Sequence, residues 1–152
     1  MKKIKLILIL STIFFVACSE SDPIKESIEK SLLENLNDAS SYEFINLKEV
    51  NTITAKEVFD FHSNFSYKEN SEELESKFQN CVNEKNVDFE KVVVTVYELN
   101  YRANNQLGNK VKNTIYFSLD NNLKILEASE KNSKYLFYEP INDCKKEVLE
   151  MN

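Results

Sequence analysis

Val92-Val93-Val94-Thr95-Val96-Tyr97-Glu98-Leu99-Asn100-Tyr101-Arg102-Ala103 is the stretch on which the fold turns. From Thr95 onward Tyr97, Leu99, Tyr101 and Ala103 alternate with Val96, Glu98, Asn100 and Arg102, so the two-residue period of a strand puts the first set on one core face. The opening Val92-Val93-Val94 is apolar on both sides. Asn104 to Asn109 follows as a polar turn containing Gly108. Beyond it Val111, Ile115, Phe117 and Leu119 alternate with Lys112, Thr114, Tyr116 and Ser118. Two alternating runs across a short polar turn read as an antiparallel hairpin.

Downstream, Asp120-Asn121-Asn122 signals a second tight turn before a strand from Leu123 to Ala128. Glu130 to Lys134 is again polar, and Tyr135 to Tyr138 reads as one more strand of a β-meander. Pro140 ends it, and Asn142 is placed to cap a short last helix with Cys144 and Val148 one turn apart on the same side.

Upstream the period changes. Asp22-Pro23 combines an N-cap acceptor with proline at the first helical position, and Ile24, Ile28, Leu32 and Leu36 recur at helical spacing, predicting a helix over 23–37. Asn37 to Ser41 breaks it, and a strand with irregular alternation, the mark of a bulge, runs from Tyr42 to about Thr54. Residues 55–69 fit neither period and read as loop with at most a short helical turn. Ser71, Glu72 and Glu73 then open a second helix over 72–85, whose apolar face carries Leu74, Phe78, Cys81 and Val82. The fold class is therefore α+β: an N-terminal helix packed on an antiparallel meander, with the second helix inserted before the main sheet.

The first residues carry a different message. Lys2, Lys3 and Lys5 precede an uncharged apolar run from Ile4 to Val16, which is shorter than the roughly 20 residues that span a bilayer and matches an export-signal core. Phe15-Val16-Ala17-Cys18 resembles the lipobox of bacterial lipoproteins, with Phe15 where leucine is usual. The resemblance implies removal of residues 1–17 and acylation of Cys18. Residues 18–22 would be a short tether and 23–152 a single domain. Ser19 stands where inner-membrane retention would want aspartate, so the resemblance favours the outer membrane.

The whole chain has 19 basic and 25 acidic residues, a net charge of -6. Loss of the three signal lysines would leave 16 bases against the same 25 acids, or -9. Such a balance disfavours nucleic acid and anionic lipid as partners. Gly108 is the only glycine, which excludes a glycine-rich phosphate loop. With Cys18 taken by lipid, Cys81 and Cys144 remain for one disulfide in an oxidising compartment, or as two buried thiols or a reactive or metal-binding pair.

Reactive constellations are sparse. His62 is the only histidine, with no second histidine or CxxC pair to complete a zinc site and no nucleophile signature beside it. Glu72-Glu73 reads as solvated helix surface. Glu49, Glu57, Asp60, Glu98 and Asp120 are too ordinary in an acidic chain to mark general acids. The strand tyrosines either pack the sheet or form a binding surface. Tyr116, between Thr114 and Ser118 on the polar face, is the best placed of them.

Leu36-Asn37-Asp38-Ala39-Ser40-Ser41-Tyr42-Glu43 and Tyr101-Arg102-Ala103-Asn104-Asn105-Gln106-Leu107-Gly108 resemble stretches of small envelope lipoproteins of Bacteroidota. In those, a helix ends in an L-x-D-P-x-S-Y-E-like segment and a later strand ends in Y-R-A-x-N-x-x-G. Ala39 stands here in place of the proline. The resemblance implies an α+β domain and supplies no activity, cofactor, metal or catalytic residue. Arg102 and Asn104, beside Gly108, either pin the hairpin turn or line a small binding site with Tyr101 and Tyr116.

The expected function is that of a membrane-tethered, non-enzymatic interaction or structural module of the cell envelope, with an unidentified envelope protein as partner. A small-molecule binder with a pocket between helix and sheet is the alternative. An enzyme with a carboxylate or tyrosine centre is the third reading.

Overall fold

The computed structural model describes residues 22–65 and 71–150. Four helices and a four-stranded antiparallel sheet alternate in the order α1 (Pro23–Leu33), β1 (Glu43–Thr54), α2 (Ala55–His62), α3 (Ser71–Glu84), β2 (Val92–Asn104), β3 (Lys110–Asp120), β4 (Ile125–Ser129) and α4 (Glu139–Glu150). A single 3-10 turn, Ala39–Ser41, joins α1 to β1. The strands lie in sequence order, so the chain is an α+β protein built on a meander, as the alternation predicts.

The hairpin holds its register without a slip from Val94 against Asp120 to Asn104 against Lys110. Gly108 turns it with a φ of 78°, in the left-handed region that glycine enters without a Cβ clash. β1 is irregular, with register shifts at three places, which is the bulged strand the sequence implies.

The strand β2 is not a strand with one core face. Leu99, Tyr101 and Ala103 join Phe117 and Leu119 under Ile28 and Leu32 of α1. On the opposite face Val94 and Val96 join Ile53 under Val58, Leu74, Phe78, Val82, Ile141, Cys144 and Val148 of the other three helices. The sheet is thus sandwiched, but unequally. Helix α1 has 11 residues, too few to persist alone in water, so it is held by its buried stripe. Ile28 is wholly buried and Leu32 is 5% exposed, each contributing about 1.5–3 kcal/mol.

Segment 55–62 is helix, not loop. Thr54 ends β1 and immediately caps α2: its Oγ1 accepts from the Glu57 N–H at 3.3 Å while Glu57 Oε2 accepts from the Thr54 N–H at 3.0 Å. This reciprocal capping box satisfies two backbone donors and overrides the unclear periodicity. Tyr135 to Tyr138 is not a strand; the Phe137 N–H turns back to the Tyr135 carbonyl at 3.1 Å.

The helix α4 begins at Glu139, with Pro140 inside its first turn, and Asn142 reaches back to accept the Tyr138 N–H at 2.9 Å instead of opening the helix. At the other end of the chain α1 stops at Leu33, four residues before the expected end, where Asn35 bonds the Leu32 and Ser31 carbonyls.

Cys81 of α3 and Cys144 of α4 are joined by a disulfide with Cα atoms 5.7 Å apart. It fastens the two longest helices on that face of the sheet. Cys18 and the signal-like segment lie outside the described residues.

Candidate functional site

The helices α2 to α4 cover only the end of the sheet near Ile53, Val94 and Val96. Toward the hairpin turn the same face carries polar side chains in cross-strand rows. Lys48, Glu98 and Tyr116 form one row, Asn46, Asn100 and Thr114 the next, and Glu43, Arg102 and Lys112 the third. The two-residue period of β2 and β3 puts their six on one side, and the cross-strand pairing brings Glu43, Asn46 and Lys48 of the bulged β1 beside them.

The middle row is internally bonded. The Asn100 amide donates to Asn46 Oδ1 at 2.9 Å and to Glu98 Oε1 at 2.8 Å, and Asn100 Oδ1 accepts from Thr114 Oγ1 at 2.8 Å. Both amide N–H donors and the carbonyl oxygen of Asn100 are engaged, which explains how an amide only 8% exposed is tolerated.

Glu98 also accepts from Lys48 Nζ at 3.1 Å. The Asn100 amide first, then Lys48, holds its carboxyl below the usual range. Tyr116 bonds the same carboxylate, and desolvation first, then that bond, raises its phenol pKa. Its ring meanwhile packs against the covered end of the face, so Tyr116 marks the border between core and open surface.

Arg102 and Lys112 are direct cross-strand partners, like charges that cost a few tenths of a kcal/mol or more in such a pair. Glu43 lies on the other side of Arg102 and pairs with Lys110. Four bases, Lys48, Arg102, Lys110 and Lys112, thus stand against two acids, Glu43 and Glu98, in a chain whose overall charge is -6.

Of the four residues expected to share a surface, Arg102 and Tyr116 do. Tyr101 does not: it points to the opposite face, 8% exposed under α1, with its ring 5.8 Å from that of Tyr42. Asn104 has a structural role. Its side chain donates to Asp38 Oδ2 at 2.9 Å and its N–H to Ser41 Oγ at 2.8 Å, tying the end of β2 to the 3-10 turn. These bonds join the two stretches, 36–43 and 101–108, on which the family resemblance rests.

A concavity of about 300 Å³ lies at the opposite end of the sheet, where the β3–β4 turn meets the entry to α4. Lys91, Lys124, Asp120 and Glu139 stand at it, over Val93, Leu126, Phe137 and Tyr138. The turn is rigidly built: Asp120 Oδ1 accepts from the Asn122 and Lys124 N–H groups at 2.8 and 2.9 Å, and the Asn121 amide donates to the Val92 carbonyl at 2.8 Å. Leu123 sits there at a φ of 61°, a left-handed conformation that costs a branched residue about 1–2 kcal/mol.

His62 lies at the end of α2, with Nε2 3.3 Å from the Leu136 carbonyl and 3.4 Å from the Asn142 amide. Burial, with the nearby Lys145 ammonium adding to it, lowers its pKa. Among the described residues no three His, Cys, Asp or Glu side chains gather to hold a metal ion, and no helix is long and apolar enough to cross a membrane.

Periodicity alone could assign Glu98 and Asn100 to a polar face, but not their partners Lys48 and Asn46, which arrive through a bulged strand about 50 residues away. No protein-family model, curated protein or solved structure matches the chain.

Proposed function

We propose that this chain is a lipoprotein of the cell envelope, anchored by acylated Cys18, whose domain is a non-enzymatic interaction module. The uncovered half of the sheet docks an envelope protein that presents carboxylates. The observation that carries this reading is the local excess of base over acid on that face, set against the acidity of the whole chain. Charge complementarity of this kind raises association rate and selects partners. The lipobox resemblance supports the tether.

The test is in-cell photo-cross-linking with benzoylphenylalanine at position 116, and at the exposed Lys56 of α2 as control. Adducts with a protein partner should form from position 116 and not from position 56. The R102E/K112E double substitution should diminish them severalfold. Equal adduct patterns from the two positions, or no adduct from 116 under any growth condition, would refute the docking face.

A further inference from the structure

We infer that the concavity between the β3–β4 turn and the entry to α4 binds a small zwitterion with an apolar body, a free amino acid. This site shares no residue with the open sheet face and is independent of the reading above.

Charge and shape both favour such a ligand. Two cations, Lys91 and Lys124, and two anions, Asp120 and Glu139, stand around a single opening of about 300 Å³. That volume is at the lower end of small-molecule sites. A rim that is neutral overall but carries both signs does not select a simple anion or cation. It complements a ligand whose own charges are opposite and separated. The floor is apolar: Val93 is 4% exposed, and Leu126 and Tyr138 are half-buried against the same core cluster. A ligand can therefore bury a hydrocarbon or aromatic body while its ammonium and carboxylate stay at the rim.

Preorganisation supports the same conclusion. The Lys91 N–H bonds the Asp88 carbonyl at 3.2 Å and its own carbonyl accepts the Ala55 N–H at 2.9 Å. Lys124 is tied at both backbone groups to Asp120. The cations thus project from backbone already fixed, so only their side chains remain for binding to order.

The test is an ¹⁵N-resolved titration of the full-length chain in detergent micelles with L-phenylalanine. Two analogues serve as controls: 3-phenylpropanoate, which lacks the ammonium, and phenethylamine, which lacks the carboxylate. L-phenylalanine should shift the amides of Lys91, Lys124, Leu126 and Tyr138 saturably, and each analogue should bind at least tenfold more weakly. The K91Q/K124Q variant changes two exposed side chains and should keep a dispersed spectrum while losing the site at least tenfold; should it fail to fold, K124Q alone carries the comparison. Absence of saturable shifts, equal binding of either analogue, or unchanged affinity in a folded lysine variant would overturn the assignment.

Discussion

Replacing Cys81 and Cys144 together by alanine should destabilise the domain by about 4 kcal/mol. The two positions are 63 residues apart, and a cross-link of that span removes about 14 cal/mol/K of entropy from the unfolded chain, which at 25 °C is that figure. Native packing changes little, because alanine keeps Cβ and the walls around position 144 come from Val82, Ile141 and Val148. Alanine is also preferable to serine, which would bury an unpaired hydroxyl at a wholly inaccessible position.

Urea unfolding followed by circular dichroism gives the comparison directly, with the oxidised wild type, the reduced wild type and the double variant measured together. The reduced and alanine forms should coincide in midpoint, with a larger m value than the oxidised form because their unfolded state is more extended. The corresponding fall in Tm is about 10–20 °C for a domain of this size. A loss below about 1 kcal/mol, or two free thiols in freshly isolated protein by intact mass, would mean that no such cross-link stabilises the domain.

Three further outcomes are expected. His62 has a folded pKa lowered from 6.5, so on acidification the unfolded chain takes up its proton first and stability falls below about pH 6.5 until the folded side chain is protonated as well. The H62N variant should flatten the Tm-versus-pH slope just below about pH 6.5, a window above that of the depressed carboxylates Glu43, Glu57 and Glu98; an unchanged slope would contradict this. The S41A substitution removes the acceptor of the Asn104 N–H in a part-buried site and should cost about 1–2 kcal/mol by urea unfolding, whereas a cost under a few tenths would mean that water replaces the hydroxyl. C18S should abolish incorporation of an alkynyl fatty acid and release the protein from the membrane fraction, and retained label would place the lipid elsewhere.

Much of this fold was legible because its signals are local. The alternation through Thr95 to Ala103 and Val111 to Leu119, with Gly108 between, determines two strands and their turn before any long-range contact is known. Asp22-Pro23 determines where α1 starts, and Leu74, Phe78 and Val82 determine the buried face of α3. The capping box Thr54-x-x-Glu57 was also in the sequence, yet Phe59, Phe61 and Phe65 obscured the helix behind it. Phe61 is 61% exposed, so it carries no information about the core.

The hairpin and the apolar stripes of α1 and α3 were readable from residues alone, since they depend on neighbours at most a few positions away, whereas the Cys81–Cys144 pairing was one of three open readings until the helices were placed. Which helix covers which face follows from long-range packing. A two-residue period distinguishes the sides of a strand without saying what packs on them, so α1 on one side and α2 to α4 on part of the other could not be read from it. That unequal covering leaves Arg102, and in part Glu98, open to solvent while Tyr101, next to Arg102, is buried under α1. It also brings Lys91 and Lys124, more than 30 residues apart, to one opening at the end of the sheet.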